Sequence, residues 1–168
     1  MISKNIKASI YIFITIIALV CLSCVLNSHL LEIAGDNDDD YIADPDEPYF
    51  NLKIGISDSD GDGLKDGIEV ALELSKRIEV LPRQKSDSMP YAIEHIAYCV
   101  AVCPVCDEEV NGGGIVVINP LKNISDTIPF IGLHYLSYGC FRYEWEQSEP
   151  GYLQHGEVDP VQLDKTLR

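Results

Sequence analysis

A twelve-residue acidic segment, residues 58–69, carries the residue types and spacing of a calcium-binding loop. Carboxylates stand at loop positions 1, 3, 5, 9 and 12, and Gly63 at position 6 permits a sharp turn. Calcium prefers six to eight hard oxygen ligands, which this spacing supplies from side chains and from the backbone carbonyl at position 7. The sequence therefore predicts a calcium site in which Asp66 binds directly or through water. The predicted ligands are Asp58, Asp60, Asp62, Leu64, Asp66 and Glu69.

Residues 36–47 place acids at the same five loop positions but differ from residues 58–69 at the turn. Tyr41 occupies position 6, and a side chain there makes a positive-φ turn costly. We interpret this spacing as a coincidence of acid-rich composition, in preference to a degenerate second calcium loop.

A second group of potential ligands begins at the Cys103-Pro-Val-Cys106 motif. Two thiolates separated by two residues form a tight knuckle that can bind one tetrahedral metal ion. The motif resembles zinc knuckles in general, and the chain offers His134, Cys140 and His155 as further donors. The sequence predicts a zinc site formed by Cys103, Cys106, His134 and one of the other two.

Three other interpretations of the cysteines stay open. Exported cysteines often pair, and Cys99, Cys103, Cys106 and Cys140 make an even set of four. Cys103 and Cys106 could also form a thiol–disulfide redox centre, although the acidic residues 107–109 are expected to raise the thiol pKa. The spacing of the first three cysteines also matches that of a radical iron–sulfur enzyme, whose chemistry requires a reducing compartment.

The N-terminus reads as a targeting segment. Lys4 and Lys7 precede an uncharged run over residues 8–31. Within it, Ser23-Cys24 resembles the end of a lipoprotein signal, and an uncleaved transmembrane anchor is the alternative because about 20 apolar residues cross a bilayer. Either route predicts export and attachment to the membrane, on the cell surface or the periplasmic side. Extracellular calcium is plentiful, so export agrees with the calcium assignment.

The charge distribution limits the classes of partner. The formal net charge is −15, and residues 36–69 contain twelve acids against two lysines. Such a surface repels nucleic acid and attracts divalent cations. We therefore expect no nucleic-acid binding and an unknown protein or cell-surface partner.

The calcium loop also resembles a known class of repeat. An Asp-x-Asp-Gly-Asp-Gly-Leu sequence that opens directly into a helix is similar to the loops of thrombospondin type 3 and dockerin-type repeats, over residues 57–75. The resemblance implies an extracellular segment stabilised by calcium. Apolar spacing predicts the exiting helix over residues 67–77, and alternation predicts a short strand over residues 49–56.

The whole chain is predicted to be α+β, with a short antiparallel sheet and two or three helices in its C-terminal part. We expect a strand at Ile115–Ile118, a helix over residues 128–138 and a last helix over residues 160–167. The predicted divisions are a signal or anchor (1–24), an acidic tether (25–48), the calcium segment (49–81) and a Cys/His domain (90–168).

We predict an exported, membrane-tethered calcium-binding protein whose Cys/His domain is stabilised by zinc or by disulfides and acts as a binding or structural module. The sequence shows no serine elbow, phosphate-binding glycine loop or His-Glu-x-x-His helix, so we predict no catalytic residues. The alternative is a small exported metallo-hydrolase or thiol oxidoreductase that uses Cys103 and Cys106.

Overall fold

The computed structural model describes residues 35–146 and 153–168, and its fold is α+β, which confirms the predicted class. The predicted signal or anchor over residues 1–24 lies outside the described residues. Three α-helices are present in the described part, α1 (Asp66–Glu79), α2 (Phe130–Leu136) and α3 (Pro160–Leu167), together with a 3-10 helix at Glu47–Phe50. The strands are β1 (Tyr91–His95), β2 (Val100–Val102), β3 (Glu109–Asn111), β4 (Gly114–Asn119), β5 (Ile124–Pro129), β6 (Arg142–Glu146) and β7 (Leu153–Glu157).

The strands form two antiparallel sheets. The first has the order β1-β4-β5, and its centre is the predicted Ile115–Ile118 strand, whose β-branched residues favour extended backbone. Burial alternates along β4, with Ile115 and Val117 facing the core. The second sheet has the order β3-β2-β6-β7, and the hairpin β2–β3 carries the cysteine motif. Strand β4 is not part of that hairpin, because it pairs with β1 and β5.

Helix α1 follows the predicted apolar spacing and packs against the core. Ala71, Leu74 and Ile78 recur at helical intervals and are buried. Acids in the first turn and Lys76 and Arg77 in the last turn complement the helix dipole. The helix therefore starts and ends within two residues of its predicted bounds.

Two sequence predictions of secondary structure are wrong. Residues 49–56 form no strand, because Asn51 and Gly55 adopt positive φ, which bends the chain away from an extended path. The helix predicted over residues 128–138 is shorter, because Ile128 and Pro129 complete β5 and helix α2 starts only at Phe130.

The described part of the acidic segment is folded against helix α1. Ile42 is fully buried in the core, and Asp40 is buried beside it. Gly67 in the first turn of α1 makes this contact possible, since a Cβ atom there would lie 2.3 Å from the Asp40 carbonyl oxygen. Asp40, Ile42 and Glu47 are buried, so the prediction of an acidic tether over residues 25–48 is wrong where these residues pack against the core.

One buried carboxylate connects three helices. Asp164 on α3 accepts hydrogen bonds from the Tyr49 hydroxyl (2.6 Å), from Arg77 Nη1 (2.5 Å) and from Arg168 Nε (2.5 Å). Burial raises the pKa of Asp164, but these three donors lower it further than burial raises it, and the resulting pKa lies below the ordinary value. Asp164 therefore fastens the 3-10 helix and α1 to the C-terminal helix.

Among the described residues, the helices are too short or too polar to cross a bilayer.

Candidate metal centres

The predicted calcium loop brings three aspartates together at a turn made by Gly63. Asp58, Asp60 and Asp62 each present a carboxylate oxygen within 4.8 Å of the other two. Gly63 adopts a φ of 98°, and its amide donates to Asp58 Oδ2 at 2.9 Å. The Leu64 amide donates to Asp62 Oδ1 at 2.8 Å, which holds that carboxylate toward the loop centre. The loop thus brings three of the six predicted ligands together.

The helix side of the loop supplies the remaining carboxylates. Glu69 lies on α1. Burial is the largest cause that raises its pKa, and the negative charges of the loop aspartates raise the pKa further, which indicates that the carboxylate is near them. The two carboxylate oxygens of Asp66 have different surroundings. Oδ1 accepts the Ser59 amide at 2.8 Å, whereas Oδ2 is buried and accepts no hydrogen bond. One carboxylate oxygen of Asp66 lies within 4.8 Å of oxygens of Asp40 and Glu47. The sequence predicted that Leu64 would bind calcium through its backbone carbonyl, and its side chain is exposed.

Residues 36–47 repeat this backbone arrangement. Tyr41, at position 6, adopts a φ of 82° and donates its amide to Asp36 Oδ2 at 3.0 Å, as Gly63 does to Asp58. The position-4 residue also has positive φ in both loops, and its amide donates to the position-1 aspartate, at 2.7 Å in this segment and 2.6 Å in the other. Tyr41 therefore adopts the positive-φ turn although it carries a side chain at the position that favours glycine.

The correspondence extends to positions 5 and 9. Asp40 accepts the amide two residues onward at 2.8 Å, as Asp62 does. Asp44 accepts the amide of the position-2 residue, as Asp66 does. Our interpretation of residues 36–47 as chance spacing missed this repeat. The signal for it was five acids recurring at an offset of 22 residues.

Three carboxylates between the two loops are buried together. Asp40 and Glu47 are 0% exposed and Asp66 is 1% exposed, and the three present oxygens within 4.8 Å of one another. Asp40 Oδ2, both Glu47 oxygens and Asp66 Oδ2 accept no hydrogen bond. Burial, reinforced by the neighbouring carboxylates, raises the pKa of Asp40 to about 7 and also raises that of Glu47.

The cysteine motif forms a knuckle at the tip of the β2–β3 hairpin. The Cys103 amide donates to the Glu108 carbonyl at 3.0 Å, and the Asp107 amide donates to the Cys103 carbonyl at 2.8 Å. Asp107 completes the turn with a φ of 59°. The thiols of Cys103 and Cys106 are free, and with His134 they form a group whose ligand atoms lie within 4.8 Å of one another.

Helix α2 presents His134 to the knuckle. Its Nε2 lies 3.2 Å from Cys106 Sγ, and its Nδ1 lies 3.7 Å from a Glu108 carboxylate oxygen. A carboxylate beside the distal nitrogen is the usual means of orienting a metal-binding imidazole. Cys106 and His134 are 28 residues apart in the sequence, and the tertiary fold brings them into contact.

The two thiols have different environments. Cys103 is 2% exposed. Burial raises the pKa of its thiol, but hydrogen bonds led by the one from His134 lower it to about 6. Burial and the neighbouring Cys103 and Glu108 raise the pKa of the Cys106 thiol. The expectation that acidic neighbours would raise the thiol pKa therefore agrees with Cys106 and not with Cys103.

The other predicted zinc donors lie outside this three-residue group. His155 on β7 is half exposed, and its Nδ1 lies 3.3 Å from Glu144 on the paired strand β6. Cys140 follows helix α2, and its amide donates to the Tyr135 carbonyl at 3.0 Å. Of the five predicted donors, the structure brings together Cys103, Cys106 and His134.

The chain matches no family model, no curated protein and no solved structure in the comparisons made with each.

Proposed function

We propose that this protein is an exported, membrane-tethered calcium-binding module whose loop at residues 58–69 binds Ca²⁺ and whose Cys/His group holds a structural zinc ion. The observation that carries the proposal is the convergence of Asp58, Asp60 and Asp62 around a loop turned by Gly63. Oxygen donors in a flexible loop of this kind suit calcium. Export and tethering rest on the sequence of residues 1–24 alone.

The loop is suited to stiffen the protein rather than to signal. A 3-10 helix and turns precede it, in place of the long entering helix of a paired sensor loop. The exiting helix α1 contributes Ala71 and Leu74 to the core, so an ion that orders the loop also fixes the start of α1. Calcium binding at extracellular concentrations therefore stabilises the fold.

Replacing Glu69 with glutamine should weaken calcium binding at this loop. Glutamine keeps the shape of the side chain but removes the charge that completes the shell, and affinity in such loops follows the number of charged ligands. We expect the dissociation constant of one calcium ion to rise by about tenfold or more. Calorimetric titration of the full-length chain measures this change.

The matched control for Glu69→Gln is Asp87→Asn, because Asp87 is exposed and lies in the connector before β1. It removes the same charge without a loop ligand, so its titration should match the wild type. Equal binding by Glu69→Gln and wild type would refute the assignment of this loop.

Zinc is the metal that best fits the Cys/His group. Thiolate and imidazole ligands select zinc over calcium or magnesium, and a Cys-x-x-Cys knuckle sets two tetrahedral ligands. Cys103 belongs to the buried hydrophobic core, which suits a structural ion. The fourth position is then open to Cys140, to His155 or to a water molecule.

A metallo-hydrolase is the second candidate, because three protein ligands and a nearby carboxylate, Glu108, also describe a catalytic zinc site. Cobalt substitution separates the two functions. A spectrum that cyanide leaves unchanged supports a closed structural site, whereas a cyanide-dependent change in the visible bands supports an open catalytic one.

A further inference from the structure

We propose that residues 36–47, together with Asp66, form a second calcium site that is buried against helix α1. Its ligands are the carboxylates of Asp36, Asp38, Asp40, Glu47 and Asp66. This inference concerns residues other than those that carry the proposed function, apart from Asp66, which serves both loops.

The first argument is the buried charge between the loops. Asp40, Glu47 and Asp66 are all at least 99% buried, and each has a carboxylate oxygen that accepts no hydrogen bond. Ion pairs within residues 35–146 and 153–168 include none of the three. Burying an ionised carboxylate without a positively charged partner costs several kcal/mol. A divalent cation among them removes this cost.

The lysine that contacts residues 36–47 does not pair with the buried carboxylates. Lys65 Nζ donates to the Asp39 carbonyl, lies 3.7 Å from the exposed Asp39 carboxylate and sits 4.6 Å from the centre of the Tyr41 ring. Its contacts are therefore with the outer side of the segment. No ion pair of the described residues includes Asp40, Glu47 or Asp66, so a bound cation would supply the positive charge that this group lacks.

The second argument is the number and type of donors. Asp36, Asp38 and Asp40 form one group of converging oxygens, and Asp40, Glu47 and Asp66 form another, with Asp40 common to both. Both oxygens of Asp38 are also buried without a hydrogen bond. A shell made only of carboxylates, without a sulfur or imidazole donor, favours calcium over zinc.

Asp66 couples the two calcium sites. Its Oδ1 accepts the Ser59 amide inside the loop at residues 58–69, its Oδ2 is buried without a hydrogen bond, and the residue belongs to the group with Asp40 and Glu47. An ion in the buried group orients this carboxylate and so orders the backbone of the neighbouring loop. Binding at either site should therefore raise the affinity of the other by about fivefold or more, the lower end of ordinary coupling.

The test combines calcium stoichiometry with unfolding of the full-length chain. We expect two calcium ions for each wild-type chain and one for each Glu47→Gln chain. Without metal, Glu47→Gln should be at least as stable as the wild type. The reason is that the variant removes a buried charge but keeps the side-chain volume. A residue with only a packing role would instead lower stability with and without calcium.

Glu69→Gln is the matched variant at the other loop, so the two sites fail separately. Two results would support the buried site. Glu69→Gln should lose the ion of the loop at residues 58–69 and keep the other ion, and Glu47→Gln should lose the buried ion and keep that of the loop. One calcium ion for each wild-type chain, with calcium stabilising Glu47→Gln as much as wild type, would overturn the proposal. Asp38→Asn provides the same comparison at a less buried ligand.

Discussion

Replacing Cys103 with serine should abolish zinc binding and strongly destabilise the protein. Serine lacks the thiolate that zinc requires, and a structural zinc ion contributes apparent binding energies of about 10–16 kcal/mol in small zinc domains. Part of that energy stabilises the fold here, because Cys103 joins the knuckle to the core. We expect a loss of about 5 kcal/mol, which corresponds to roughly 10–20 °C in the thermal midpoint.

The measurement is zinc content together with thermal unfolding. The wild type should contain one equivalent of zinc, and the variant should contain none. Cys99→Ser is the matched control, because Cys99 is exposed and lies outside the three-residue group. A strong zinc chelator should lower the midpoint of wild type and of Cys99→Ser but not that of Cys103→Ser. Equal zinc content in Cys103→Ser and wild type would contradict the assignment.

Replacing Asp164 with asparagine should cost about 3–5 kcal/mol, the range measured when one member of a buried ion pair is removed. The substitution leaves Arg77 without the carboxylate that it contacts at 2.5 Å and weakens the hydrogen bond from Tyr49. Arg168 is mostly exposed, so its loss contributes little. Urea unfolding at neutral pH measures the change.

The effect of Asp164 should also depend on pH in a defined direction. Its pKa is lower in the folded protein than the ordinary value of 3.8, so its ionised form stabilises the fold above that pH. The stability is lost as the pH falls through the lower folded value, where wild type and Asp164→Asn should converge. Glu73→Gln removes an exposed partner of Arg77 and should change stability by less than about 1 kcal/mol. A similar loss in both variants would contradict the role of Asp164.

The elements with strong local patterns were predictable from the sequence. Helix α1 follows apolar spacing, strand β4 follows a run of β-branched residues, and α3 follows the Asp159-Pro160 pair. The Asp159 carboxylate accepts the Gln162 amide at 2.8 Å and caps α3 as such a pair predicts. Strands β6 and β7 pair with each other as neighbours in the chain. Strand β6 was missed although residues 142–146 alternate between polar and aromatic side chains, whereas residues 153–157 of β7 carry no such alternation.

The acidic segment shows why local rules were insufficient. Tyr41 argued against a loop because its side chain disfavours positive φ, a cost of roughly 1–2 kcal/mol for one residue. In the structure, Tyr41 adopts that conformation while the buried Ile42 anchors the segment to the core. Packing of one apolar side chain outweighs the local cost, and only the tertiary structure contains that information.

The sequence by itself determined the donor types of both candidate metal centres, through the oxygen spacing of residues 58–69 and the thiol pair of Cys103 and Cys106. These ligands are close in the chain, so local geometry brings them together. The tertiary structure decided which distant groups join them: His134 at the knuckle, and Asp66 beside Asp40 and Glu47. Contacts across long chain separations depend on how elements pack, and short-range sequence patterns carry no record of that packing.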